Sequence, residues 1–240
     1  MPRSGPSRLT EVAEAATLVF RRQGYRRTHV ADVAAEAGLS AGAVYTYVES
    51  KEALFHLVFA HAFGVFADGT PALPLATPKT ADTVELIARG LREHAATPRL
   101  RVALEADSIG DVHAELAGIV GERFELLQRL WPVFAVIERS VDDVPGLDGL
   151  YFGRARHAHH EQLQHYLERR AAAGQLRPME DPAATARIVT EAITWFAWHR
   201  HEDPGAEAYD DDRARRAVVK FVGDALVAGR RESPDGHAAD

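Results

Sequence analysis

Cysteine is absent from the 240 residues. Disulfides, thiol redox sensing and thiolate metal sites are therefore excluded. Long apolar runs are missing too. The longest, from Leu54 to Ala67, is interrupted by His56, His61 and Gly64, is too short to cross a bilayer, and carries helical spacing instead of uniform apolarity. The opening MPRSGPSRL has no apolar core of a secretory signal, so the cytoplasm is the expected compartment and no membrane partner is expected. Lysine is scarce, occurring only at 51, 79 and 220, and the net charge is -7. A protein of that charge does not attract nucleic acid as a whole. Catalytic signatures are lacking as well: no Gly-x-Ser-x-Gly, phosphate loop, dinucleotide glycine pattern or His-Glu-x-x-His occurs, so neither an enzyme nor a cofactor is expected.

What the chain has is helical periodicity. No useful length alternates with period two, whereas the 3.6-residue pattern recurs almost throughout, which predicts an all-α protein. Val12, Ala13, Ala16, Val19 and Phe20 form one stripe, and Gly24 is placed to end it. A second helix begins after Thr28 as N-cap and buries Val30, Val33, Ala34 and Ala37. Gly38 stops it, Ser40 caps a third helix with Val44 and Val48 inward, and a fourth presents Leu54, Phe55, Val58, Phe59, Ala62, Phe63 and Phe66 on one side. Prolines 71, 74 and 78 break the pattern. Longer helices are predicted at 81–96, after Pro98, and at 112–140, 147–173, 182–200 and 211–228, with Pro132 kinking the third of them.

The charge is unevenly spread. Residues 1–60 hold seven basic and six acidic side chains, so a slightly basic first segment precedes an acidic remainder, as two surfaces with different partners require. Within that segment, two short helices meet at Gly38-Leu39-Ser40. Small residues there (Ala34, Ala35, Ala37, Gly42) permit the close approach of a helix-turn-helix, whose second helix enters the major groove, although the same corner also serves an ordinary helical hairpin.

The residues Gly24-Tyr25, Thr28, Val30, Asp32-Val33-Ala34, Ala37-Gly38-Leu39-Ser40, Gly42, Val44-Tyr45, Tyr47 and Ser50-Lys51-Glu52-Ala53-Leu54 closely resemble the N-terminal domain of the TetR family of bacterial transcriptional regulators. The resemblance covers residues 8–66. It implies a three-helix DNA-binding domain (1–50) joined through a connecting helix (51–68) to a helical ligand-binding and dimerisation domain (69–232), while the pattern of the chain itself predicts disordered ends at 1–7 and 233–240. The resemblance further implies repression of a double-stranded operator, relieved by a small molecule. Carried over by position, Thr28, Tyr45, Tyr47 and Lys51 look like phosphate contacts, while Ser40, Ala41, Gly42 and Thr46 would face base edges. An arm with Arg3 and Arg8 would reach backbone or minor groove. His29, Ala41, Ala43 and Val48 depart from the usual pattern, and so alanine-rich a recognition helix leaves sequence preference to Thr46, to alanine methyls against thymine, and to DNA shape. The competing reading is a helical small-molecule-binding protein whose DNA binding is weakened or lost.

Past Phe66 only the pattern speaks. Phe66, Phe124, Trp131, Tyr151 and Trp195 are the candidate lining of a pocket for an apolar or aromatic effector, set against the ordinary role of filling a core. His157, Glu161 and His165 stand at i, i+4 spacing with His159 and His160 beside them. A metal would fit that spacing, but the helix is so rich in Arg and Gln that a solvated or subunit-facing surface is the better reading, and no metal is expected. The stripes Ile188, Val189, Ala192, Ile193, Phe196 and Val218, Phe221, Val222, Ala225 either close the domain's core or pair two subunits as a four-helix bundle; the need for two recognition helices favours a homodimer.

Overall fold

Apolar residues spaced three and four apart become helices nearly everywhere in the structure, a computed structural model that describes residues 8–67, 69, 71–106, 110–151, 154–206 and 210–228, with backbone only at 151 and 154–156. The helices are α1 (Arg8–Arg27), α2 (Val30–Glu36), α3 (Ala41–Val44), α4 (Lys51–Ala62), α5 (Thr80–His94), α6 (Pro98–Glu105), α7 (Val112–Ser140), α8 (Leu147–Tyr151), α9 (Arg154–Ala172), α10 (Pro182–Ala197) and α11 (Asp211–Leu226). Among the described residues there is no β-strand, only two isolated bridges, Val48 with Leu75 and Leu176 with Val227. The protein is all-α, an N-terminal helix-turn-helix region followed by a helical C-terminal region. No described helix is long and apolar enough to cross a membrane.

The chain forms two compact units: residues 1–96 with 129–157, and residues 97–128 with 158–240. The long α7 belongs to the second unit up to Gln128 and to the first from Arg129 onward.

In the first unit α1 packs on α2 and α4, and α4 on α5. Phe20, Phe55 and Phe59 are buried there, and edge-to-face ring pairs join Phe20 to Phe55 at 5.1 Å, Tyr25 to Phe55 at 5.0 Å and Phe55 to Phe59 at 5.1 Å. Each such pair adds about 0.5–1.5 kcal/mol beyond its area. The second unit buries Leu116, Ile119, Val120, Phe124, Leu163, Leu167, Val189, Ile193, Val218 and Val222. Its polar interior is a network: the Arg170 Nε and Nη2 donate to Glu115 at 2.9 and 3.1 Å, Arg170 Nη2 donates to the Ala103 carbonyl at 2.9 Å, and the Tyr166 hydroxyl donates to Glu115 at 3.0 Å.

Five local expectations are corrected. The N-cap of α2 is His29, not Thr28, and the Asp32 carboxylate accepts from the His29 N–H at 2.9 Å. Thr28 is fully buried and its hydroxyl donates to the Gly24 carbonyl at 2.8 Å, so it closes the corner between α1 and α2. The third helix is one turn long, and Val48, though buried, lies past it in the bridge to Leu75. The fourth is no one-sided stripe: Leu57 and Ala60 are buried along with Leu54, Phe55, Val58 and Phe59, and the helix ends at Ala62, where Gly64 and Val65 donate back to His61 and Ala60. The expected helices at 147–173 and 182–200 are α8 plus α9, and α10 plus a 3₁₀ turn at His199–Glu202.

Candidate nucleic-acid interface

The corner that carries the interface obeys two short-range rules. Gly38 has φ +65°, a left-handed conformation that costs glycine nothing. With it in place, the Gly38 N–H reaches the Ala35 carbonyl at 3.2 Å and the Leu39 N–H the Ala34 carbonyl at 2.8 Å, the pair of bonds of a Schellman stop. Two residues on, the Ser40 hydroxyl oxygen accepts the Ala43 N–H at 3.2 Å and starts α3.

α3 is anchored from within by Val44, at 0% exposure, while Tyr45 is 48% exposed. Ser40, Gly42 and Thr46 are also exposed; Ala41 and Tyr47 are half-buried against the core. The Thr46 hydroxyl spends its proton on the Ala43 carbonyl at 2.7 Å. Outward it therefore offers lone pairs, an acceptor for an exocyclic amino group. Ser40 is the reverse: its oxygen accepts from Ala43 and its proton stays available.

Lys51 stands at the head of α4, half-buried, with its ammonium donating to the Tyr25 carbonyl at 3.1 Å and lying 4.4 Å from the centre of the Tyr25 ring. The Tyr25 hydroxyl donates to Glu52 at 2.9 Å. Burial first, then Glu52, raise the Tyr25 pKa, and the backbone N–H at the start of α4 holds Glu52 below the usual carboxylate range. Several arginines of this region have acidic partners: Arg8 with Glu11, Arg22 with Glu36 at 3.0 Å, and Arg26 with Asp143 at 2.9 Å. Glu11 and Glu36 are already counted in the near-balance of charge over residues 1–60, and Asp143, from far along the chain, offsets its single net positive charge. Arg3 lies outside the described residues.

The candidate effector residues are dispersed. Phe66 is half-buried on the core of the first unit, and Trp131, also half-buried there, lies 4.5 Å from the Arg21 guanidinium. Phe124 is fully buried in the second unit, where Trp195 is 37% exposed. The side chain of Tyr151 lies outside the described residues. One cleft, of about 50 Å³, lies in the first unit among Tyr25, Glu52, Phe55, Thr83 and Asp143, and none of the five candidates lines it. On α9, His157 and His165 are exposed and His159 and His160 half-buried; among the described residues no three potential ligands gather around a metal-sized space.

Three features escaped sequence reasoning. Gly24, expected to end the first helix, does break α1 with φ +76° and ψ 175°, but nothing in the sequence signals that an added Cβ there would come within 2.3 Å of the Arg139 carbonyl oxygen. Asp143 takes both the Arg26 N–H at 3.0 Å and its side chain. The third is the pairing of Val48 with Leu75. Each joins residues far apart in the chain, and no local spacing announces them.

Comparison with known proteins agrees with this geometry. The family model "Bacterial regulatory proteins, tetR family" matches residues 12–58, and "AefR-like transcriptional repressor, C-terminal domain" matches residues 126–226. An uncharacterized HTH-type transcriptional regulator of Bacillus subtilis, YfiR, is 43% identical over 51 residues, 21% of this chain and 25% of that protein, so the match spans about a quarter of the relative's length. Among solved structures, the ketosteroid transcriptional regulator KstR2 of Mycobacterium tuberculosis aligns over 94% of this chain and 98% of its own at 17% identity and a TM-score of 0.54. AibR, solved with isovaleryl coenzyme A and operator DNA, aligns over 90% and 98% at 15% identity and a TM-score of 0.51. With a helix-turn-helix whose third helix is held by Val44 and opens Tyr45 to solvent, and with both halves matched by models of one family, the chain belongs to the TetR family of bacterial transcriptional regulators.

Proposed function

We propose that the chain is a homodimeric repressor that reads its operator with the segment from Ser40 to Tyr47 and leaves it when a small molecule binds the helical C-terminal region. The observation that carries the reading is the division of α3 and the turn after it. Val44 and Val48 are buried while Ser40, Gly42, Tyr45 and Thr46 face outward. In this reading Ser40, Ala41, Gly42 and Thr46 meet base edges, Tyr45 and Tyr47 meet phosphates, and Lys51 adds charge at the head of α4. Thr28 is left out because its side chain is buried and already bonded. Residues 1–50 form the reading head, 51–68 the connection and 69–232 the regulatory part.

The effector is a small apolar or aromatic molecule, and its binding need only favour one separation of the two reading heads over another for the operator to be lost. AibR, whose fold this chain shares, was solved with both operator DNA and isovaleryl coenzyme A, which supports the pairing of the two ligands in one architecture. The pairing of Arg8, Arg22 and Arg26 with acids favours a second reading, a binding protein with weakened DNA affinity.

One experiment separates the two. Full-length protein is titrated onto the DNA flanking its own coding sequence, at two salt concentrations, beside Tyr45→Ala. A repressor binds a discrete fragment, and Tyr45→Ala weakens binding roughly tenfold or more, the scale of a hydrogen bond to a charged phosphate. Binding that ignores both salt and the substitution sinks the proposal.

A further inference from the structure

α3 is a single turn, too short to fix by itself the path of the chain beyond it. Yet the next stretch, from Tyr45 to Ser50, carries Tyr47 and leads into Lys51. It is held by a segment from beyond α4. The Leu75 N–H donates to the Tyr47 carbonyl at 2.8 Å and the Glu49 N–H to the Leu75 carbonyl at 3.0 Å, the parallel bridge between Val48 and Leu75. Two residues later the Thr77 N–H donates to the Glu49 carboxylate at 2.9 Å, and the Thr77 hydroxyl donates to the Ser50 hydroxyl oxygen at 2.9 Å. That Ser50 oxygen also accepts the Ala53 N–H at 3.1 Å, so Thr77 bonds to the residue that caps α4. Leu75 packs half-buried on the same core as Tyr47. Just past the clamp, Lys79 N–H donates to Asp82 at 3.2 Å and α5 begins.

We propose that Leu75 and Thr77 are positioning residues for DNA reading: they clamp the Tyr47–Ser50 turn, set the pose of Tyr47 and of the head of α4, and tie both to the start of α5. The inference rests on the DNA-binding reading. The clamp gives the reading turn a second mechanical tether beside α4, at its far end from the Ala62 terminus. Thr77 touches no DNA in this scheme; it acts through Ser50 and Glu49. Because Thr77 is exposed, removing its hydroxyl opens no cavity in the core.

The test uses full-length protein, a duplex that the wild-type chain selects from a randomised pool, and a scrambled duplex of equal composition. Thr77→Ala is expected to weaken binding to the selected duplex about threefold to tenfold and to the scrambled duplex less, because phosphate contacts fix the register in which base edges are read, with the thermal midpoint lowered by no more than about 4 °C, the scale of one net hydrogen bond. Thr77→Ser, which keeps the donor, restores the wild-type ratio of the two affinities. An unchanged ratio in Thr77→Ala overturns the clamp. So does an equal loss on both duplexes with a midpoint lowered beyond that, which marks a merely structural residue, and so does failure of the serine to restore the ratio. If the wild-type chain selects no duplex at all, the DNA-binding reading itself has failed and the clamp falls with it.

Discussion

At the scale of single residues, the first unit turns on Gly24. Its backbone angles suit glycine alone, and the Arg139 carbonyl oxygen occupies the place of a side chain. From there Thr28 bonds back, Arg26 reaches Asp143 and Arg21 lies over Trp131. In the second unit, His159 is the residue with the clearest solution signature. Burial, with the Arg123 guanidinium and then His160 adding to it, lowers its pKa to about 3. An imidazole in an unfolded chain titrates near 6.5. Between those values the unfolded chain takes up a proton that the folded one refuses, so the stability is fully present above pH 6.5 and declines as pH falls. His56, lowered by burial against the opposing pull of Asp82, contributes in the same direction. Between pH 6.5 and 5, before most carboxylates titrate, unfolding free energy from urea titrations falls by up to about 1.4 kcal/mol per pH unit on account of His159, with His56 adding in the same direction. His159→Gln removes one histidine's share of that slope; an unaltered slope would show that His159 titrates normally in the folded chain.

At the scale of elements, α6, α7 and α9 are joined by the Glu115–Arg170–Tyr166 network. The Arg170 side chain is 4% exposed and that of Glu115 is 20% exposed. Removing one partner strands a buried charge, which is costlier than the pair is worth. Glu115→Ala is therefore expected to lower stability by about 3–5 kcal/mol, read as a fall in the urea midpoint at constant slope. A loss below about 1 kcal/mol, the size of an exposed pair, would mean that water reaches Arg170. Such pairing was invisible in the sequence, whereas the helices themselves were legible, because periodicity records one face of one element. It does not record how many faces are covered. Leu57 and Ala60 of α4 looked like the off-side of a stripe and are buried by neighbours that no spacing reveals. Thr28 and His29 compete locally for the cap, and the choice is made by Gly24, whose carbonyl takes the threonine hydroxyl. The reading segment was legible from Gly38 to Val44 because its rules are local, while the clamp at Leu75 and Thr77 depends on a pairing across the whole of α4.

At the scale of the molecule, the last two helices present apolar side chains both inward and outward. α10 and α11 pack on each other, and their apolar stripes divide. Val189, Ile193, Val218 and Val222 close the unit's own core. Ile188 and Phe221, each 63% exposed, and Trp195 at 37% remain outside it. Isolated exposed apolar residues are ordinary, but bulky ones on two adjoining helices are what a symmetric four-helix contact would cover. On the proposed reading a second copy is the occupant, since operator half-sites one DNA turn apart need two recognition segments. Because residues 1–60 hold only one more basic than acidic side chain, a single reading head brings little net charge to phosphate, so two linked heads matter more here than in a strongly basic domain. The double variant Ile188→Glu, Phe221→Glu should keep its helix content, because both side chains already meet solvent in the single chain, yet sediment as a monomer and lose any rise of thermal midpoint with protein concentration. Linked binding typically gains a factor of about 10²–10⁴ over single contacts, so its operator affinity should fall at least about a hundredfold. A variant that still sediments as a dimer would move the subunit contact away from α10 and α11, and a monomer that holds the operator undiminished would break the tie between pairing and reading.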